Sequence, residues 1–168
     1  MKQEPVESDP TTWNVPKILE LPEGRNVTGY HIRKAMSYEI AQGSGGDTHF
    51  LSDYGCVVFR GVEAMLNYME ACYEKNSNLD ATAESYWKAI RTRAGVDPDF
   101  SNTITANAYT KEDDWAIYSA GQPVDKTLYN IRRERRCEFI ADGMRMWDLK
   151  RWRALDQVKN YVIEGFNL

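Results

Sequence analysis

Between Tyr129 and Trp152 the chain places charges where a helix should place its core. The stretch YNIRRERRCEFIADGMRMWDLKRW holds six arginines, one lysine, four acids and two tryptophans in 24 residues. It reads as two helices meeting at Gly143, a residue free to adopt the positive φ that such a turn needs. The inward stripe of the first helix starts with Leu128 and Ile131. At helical spacing it continues through Glu134, Arg135 and Glu138 instead of apolar residues. In the second helix Arg145, Asp148 and Arg151 recur every three residues and form a matching row.

Charges at core positions have three explanations. A nucleic-acid patch is opposed by the interleaved Glu134, Glu138 and Asp148 and by a net charge of −4 over the chain. A carboxylate dyad for general acid catalysis is opposed by the arginines flanking Glu134 and Glu138, because a nearby guanidinium favours the ionised form. An internal clamp of carboxylate–guanidinium pairs fits best, since the planar fork of arginine bonds carboxylates bidentately and tolerates partial burial. The expected members are Arg60, Glu63, Glu134, Arg135, Glu138, Arg145, Asp148 and Arg151, with Arg60 and Glu63 contributed by an earlier helix.

That helix is expected over Val57–Tyr73, where Val58/Phe59, Val62, Met65/Leu66, Met69 and Cys72/Tyr73 make an apolar stripe. Arg60, Glu63, Asn67 and Glu70 form a second stripe of the same period. A partner helix is expected from Asp80, a suitable N-cap, to Ala94, with Gly95 placed for a left-handed C-terminal cap and Pro98 preventing continuation. Small residues at Ala64, Ala71, Ala83 and Ala89 predict a close approach of this pair. The pair has the shape of one tetratricopeptide-like unit. The predicted fold is therefore all-α: helix hairpins at 57–95 and 126–159, the second running from a cap at Asp125 or Thr127 to Lys159, within a single domain or fragment spanning 1–168.

The rest reads as irregular. Residues 1–56 contain Pro5, Pro10, Pro16 and Pro22 and the loop Gly43–Asp47, which lacks the Gly-Lys-Ser/Thr of a phosphate-binding loop. Residues 96–125 form a long polar excursion rich in aromatics, and loops of such length in a compact domain carry function or lack order. No apolar run approaches the roughly 20 residues of a membrane helix, and no secretory leader opens the chain. Cys56, Cys72 and Cys137 lack metal or redox spacing, with Cys72 and Cys137 expected to serve as small apolar groups. His31 and His49 are isolated, so neither a metal nor a cofactor is expected.

At this point the chain resembles a known family. Ile131-Arg132-Arg133-Glu134-Arg135-Arg136-Cys137-Glu138-Phe139, followed by Asp142-Gly143-Met144-Arg145-Met146-Trp147-Asp148-Leu149-Lys150-Arg151-Trp152, is similar to the C-terminal motif of the SusD/RagB family. The segments beginning at Phe59-Arg60 and Ile90-Arg91 match the family in the same order, so the resemblance spans about residues 56–155. Asp142 stands where the family favours Glu, and Met69 where it favours Ala. The resemblance implies a surface lipoprotein of the outer membrane that binds glycans, or in some branches peptides, and serves a TonB-dependent transporter without catalysing a reaction. It also implies that this chain is a C-terminal portion, lacking the lipid-anchored N-terminus. The motif is scaffold in that family and loops make the ligand contacts. By their chemistry Trp13, Tyr109, Trp115 and Tyr118 are the expected ligand-binding residues, because flat rings suit the apolar faces of sugars; Asp113 or Asp114 would bond hydroxyls. The competing function is a helical protein–protein interaction scaffold with no small-molecule ligand.

Overall fold

A computed structural model describes residues 57–106 and 115–159, together with 5–6, 9–13, 34 and 55. The chain divides into two compact units, one of Met1–Cys56 with Val162–Leu168 and one of Val57–Tyr161. In the first, β1 (Pro5–Val6) pairs antiparallel with β2 (Asp9–Trp13), with Pro5 opposite Trp13 and Val6 opposite Asp9. A ribbon thus stands inside the stretch expected to be irregular. Thr11, Thr12 and Trp13 favour strand, and prolines are tolerated in ribbons that have open edges. Lys17–Leu21 and the Gly43–Asp47 loop lie outside the described residues.

The second unit is predominantly α-helical. Helix α1 is Gly61–Asn76 and α2 is Ala81–Arg93. The first begins four residues later than the apolar stripe predicts. Residues 57–60 are not helical, and Arg60 at the N-cap is extended, at φ −119° and ψ 133°, and makes no side-chain cap. Its guanidinium is committed to Glu138 and Asp142 instead. At the other end Ser77 takes φ 52° and its N–H bonds Tyr73 O. Asp80 accepts from Ala83 N–H at 2.8 Å, the capping bond that its position predicts.

The core lies between α1 and α2 and is closed by the fourth helix. Leu66, Met69 and Cys72 meet Leu79, Ala83, Trp87 and Ile90, and Ile131 and Phe139 complete the cluster. Of the four small residues expected in the helix contact only Ala83 is buried; Ala64, Ala71 and Ala89 face outward. Bulky apolar side chains, not close backbone approach, hold the pair together. Cys137 is likewise exposed, contrary to its expected role as a small apolar group, and Cys56 lies outside the described residues.

Four short elements occupy the stretch expected to be a loop. Helix α3 (Phe100–Ala106) starts at Asp99, whose carboxylate accepts from Ser101 N–H at 3.0 Å. Phe100 stacks on Trp87 with ring centroids 4.4 Å apart and planes 1° from parallel. A 3-10 turn, Trp115–Ile117, leads into β3 (Tyr118–Ser119), which pairs antiparallel with β4 (Gln122–Pro123). The two residues between the strands, Ala120 and Gly121, take φ 53° and 76°, as a type I′ hairpin turn requires. These pieces are too short to show a period in sequence.

Helix α4 is Lys126–Glu138 and α5 is Arg145–Arg151. The second expected hairpin is thereby shortened, because α5 stops at Trp152 instead of reaching Lys159. Arg153 takes φ 52°, Ala154 N–H returns to Leu149 O at 2.8 Å, and Ala154 is fully buried. That left-handed stop turns the chain into a 3-10 segment at Leu155–Val158.

Two tyrosines of α1 secure the starts of other helices. Tyr68 donates to Asp80, the cap of α2, at 2.7 Å, and Tyr73 donates to Asp125, the cap of α4, at 2.5 Å. Asp80 is held below the usual carboxylate range by Ala83 N–H and then by Tyr68. For Asp125 burial pushes upward, but the Tyr73 hydroxyl and the Thr127 and Leu128 N–H groups outweigh it and hold the carboxyl low. A depressed folded pKa contributes stability above the unfolded value of about 3.9, lost as pH falls through the folded value. Asp125→Ala is therefore expected to cost about 1 kcal/mol near neutral pH. The gap between variant and wild type should close in acid, which urea midpoints at a series of pH values would read.

Candidate functional site

The polar stripe of α1 becomes one side of an ion-pair seam. Arg60, Glu63, Asn67, Glu70 and Glu74 are spaced alternately by three and four residues, so they form one row along the helix. Opposite them stand Arg132, Glu134, Arg135 and Glu138 of α4, with Asp148 and Arg151 of α5.

The centre of the seam is Arg135, whose Nε donates to both carboxylate oxygens of Asp148 at 2.9 and 2.8 Å. Both side chains are only 4% exposed. Arg135 Nη1 also donates to Asn67 at 2.9 Å, and Glu63 lies 3.9 Å away on its other side. Asp148 is shared with Arg151, whose Nε donates at 2.8 Å while its Nη2 donates to Glu70 at 2.6 Å. Glu70 accepts in addition from Arg132 Nε at 3.2 Å and from the Trp152 indole N–H at 2.5 Å. Arg132 reaches Glu74 at 2.9 Å. The chain of pairs from Glu74 to Glu63 is unbroken.

Two branches flank it. Arg60 pairs with Glu138 and, at 2.9 Å, with Asp142, and Arg93 joins Glu138 at 2.6 Å. Glu134 accepts from Arg91 at 3.0 Å and from the Trp87 indole N–H at 2.8 Å. For Arg60 and Arg151 burial disfavours the charge, but the carboxylates outweigh it and raise both pKa values further. Guanidinium groups also lie over rings: Arg132 and Arg151 at 4.8 and 4.7 Å from the Trp152 centroid, and Arg135 at 4.9 Å from that of Phe139.

All eight residues expected in a clamp lie in this region, but Arg145 has a different role. Its Nη2 donates to Gln157 at 2.7 Å, which ties α5 to the 3-10 segment after it. Residues outside that expectation do much of the bonding: Glu70, Glu74, Arg91, Arg93, Arg132, Asp142 and the indoles of Trp87 and Trp152. Glu70 could be found from the α1 stripe. Arg91 and Arg93 carried no such mark, because their helix meets the seam only through tertiary packing.

The aromatic candidates are placed separately. Tyr118 is half-buried in β3, three residues after Trp115 in the preceding 3-10 turn. The hairpin that holds Tyr118 is pinned to the chain after α5: Ala120 N–H bonds Arg153 O at 2.9 Å, Ser119 Oγ donates to Trp152 O, and Gln157 Nε2 donates to Tyr118 O at 3.2 Å. Trp13 lies in β2 of the other unit. Tyr109, Asp113 and Asp114 lie outside the described residues, as do His31 and His49. Among the described residues no group of His, Cys, Asp or Glu has metal-binding geometry, and no helix is long and apolar enough to cross a membrane.

Residues 5–167 match the model of the SusD family, well past the span on which the motif resemblance rests. The chain belongs to the SusD family. No curated protein and no solved structure gives a match. SusD-family proteins bind glycans and other nutrients for uptake, are generally non-catalytic, work with TonB-dependent transporters and sit on the outer-membrane surface as lipoproteins. In this SusD-family chain the motif that carries the resemblance is the ion-pair seam, and its carboxylates are occupied by guanidinium and indole donors.

Proposed function

We propose that this chain captures glycans at the outer-membrane surface, as part of a lipoprotein, and hands them unchanged to a TonB-dependent transporter. The family match over residues 5–167 carries this reading. In it the seam is a structural clamp, and the ligand is met by aromatic residues of the stretch from Tyr109 to Tyr118, with Trp13, in the other unit, a separate candidate ring contact. The support for that division of labour is chemical. Buried, mutually satisfied charges make a poor ligand site, whereas a hairpin fastened at Tyr118, Ser119 and Ala120 holds the Tyr118 ring on a rigid mount.

Calorimetric titration with a panel of oligosaccharides tests it. Saturable binding is expected for at least one, weakened about tenfold or more by Trp115→Ala or Tyr118→Ala with the helical spectrum unchanged. Absence of binding to every glycan would favour a protein-contact scaffold. One observation favours that second reading: Trp147 and Met146 on α5 are 68% and 50% exposed.

A further inference from the structure

One arginine of the charged motif serves something besides the seam. Arg145 Nη2 donates to Oε1 of Gln157 at 2.7 Å, and its guanidinium lies 6.0 Å from the centre of the Trp152 ring. Gln157 is buried in the 3-10 segment, and its Nε2 donates to Tyr118 O at 3.2 Å. A single amide thus connects the start of α5 to β3.

The chemistry at the two ends singles out an amide. A guanidinium only donates and a backbone carbonyl only accepts, so the side chain between them must accept at one end and donate at the other. Glutamate offers only acceptors, lysine and arginine only donors, and asparagine is shorter by a methylene. Glutamine meets both demands across this span. The same argument sets its oxygen on the Arg145 side, since the reverse would oppose two donors and two acceptors.

The chain is fastened on both sides of Tyr118. Before it, Ile117 is buried and its carbonyl accepts from Val124 N–H at 2.7 Å. After it, Ser119 and Ala120 bond the carbonyls of Trp152 and Arg153. Those two acceptors are backbone groups, placed by the left-handed stop of α5. The bond at Tyr118 differs from them, because there the partner from the α5 end is a side chain.

We infer that Gln157, oriented by Arg145, is a positioning residue for Tyr118: it sets where β3 carries that residue against the end of α5. The inference rests on the proposed reading of Tyr118 as a ligand contact. The bond itself exists without ligand, so the two are tested apart.

Two substitutions divide the roles of Gln157. Gln157→Glu keeps an acceptor for Arg145 and strengthens that pair, but sets a carboxylate against the Tyr118 carbonyl where a donor stood. Gln157→Leu removes both bonds. Amide hydrogen exchange of the full chain reads the hairpin at Ala120 and Val124. It reads α5 at Trp152, whose N–H bonds Asp148 O at 2.9 Å. Exchange at Ala120 and Val124 is expected to quicken roughly fivefold or more in both variants, with Trp152 unchanged in Gln157→Glu. Wild-type exchange at the hairpin in Gln157→Glu would overturn the inference. So would equal quickening at the hairpin and at Trp152 in that variant, the mark of general loosening.

Calorimetry with cellohexaose, xylohexaose and mannohexaose adds the ligand. A sugar whose binding Tyr118→Ala weakens is expected to bind Gln157→Glu about tenfold more weakly as well. Undiminished affinity for that sugar in Gln157→Glu would overturn the positioning role. Absence of any sugar that depends on Tyr118 would count against the ligand reading of that residue, and the exchange result then decides the inference by itself.

Discussion

Arg135→Ala is expected to lower folding stability by roughly 3–5 kcal/mol, because it leaves the Asp148 carboxylate without its main partner in a buried position. The two side chains are each 4% exposed, and a single Nε spans both oxygens of Asp148. Arg151 would still donate to Asp148, but that arginine is 41% exposed and is also held by Glu70. It compensates only in part. Arg135→Lys should recover little, since one ammonium cannot reproduce bonds that diverge to Asp148, Asn67 and Glu63. Replacing both partners, Arg135→Met with Asp148→Leu, should cost far less than the sum of the single changes, because no charge is then stranded. Urea denaturation of the four proteins in a double-mutant cycle measures this. A loss below about 1 kcal/mol for Arg135→Ala would mean that the centre of the seam is wet, and the clamp would be rejected.

Trp87→Ala should have a comparable effect, roughly 3–5 kcal/mol, for a different reason. Trp87 is fully buried at the centre of the core, with Phe100 stacked on it and its indole N–H bonded to Glu134. Truncation opens a cavity and also removes a donor from a carboxylate that is then held by Arg91 alone among the described residues. Trp87→Phe separates the two contributions. It keeps most of the ring and loses only the N–H, so about 1–3 kcal/mol is expected. Equal losses in the two variants would show that the cavity contributes nothing and the indole bond everything. Against a typical total of about 5–15 kcal/mol, either alanine variant leaves a population that unfolds readily.

Both sites show how far a sequence can be read. The α1 stripe Arg60, Glu63, Asn67, Glu70 was visible as a period, and so were the displaced charges Glu134, Arg135 and Glu138 on α4. Periodicity is a local property of the helix, and two polar stripes with matching charge predict that the helices face each other. The pairing of particular residues was not legible. Arg91 and Arg93 enter the seam from α2, and Trp152 reaches Glu70 across 82 residues, because only packing brings those side chains within bonding distance. The short elements were equally hidden. α3 has seven residues and the β3–β4 hairpin has strands of two, and α5 ends at a left-handed Arg153 that no glycine announced.

The sequence by itself determined the fold class, the main helices, the Asp80 cap and the family, since each depends on spacing or residue type within a short span. Tertiary structure decided which charges pair, where α5 stops, and that Ala64 and Ala71 face outward, not into the helix contact. It also brought Glu70, Glu74, Arg132 and Arg151 together around one cleft beside the seam. Those outcomes depend on distances between residues far apart in the chain, and such distances exist only once the core around Trp87 and Ile131 has closed.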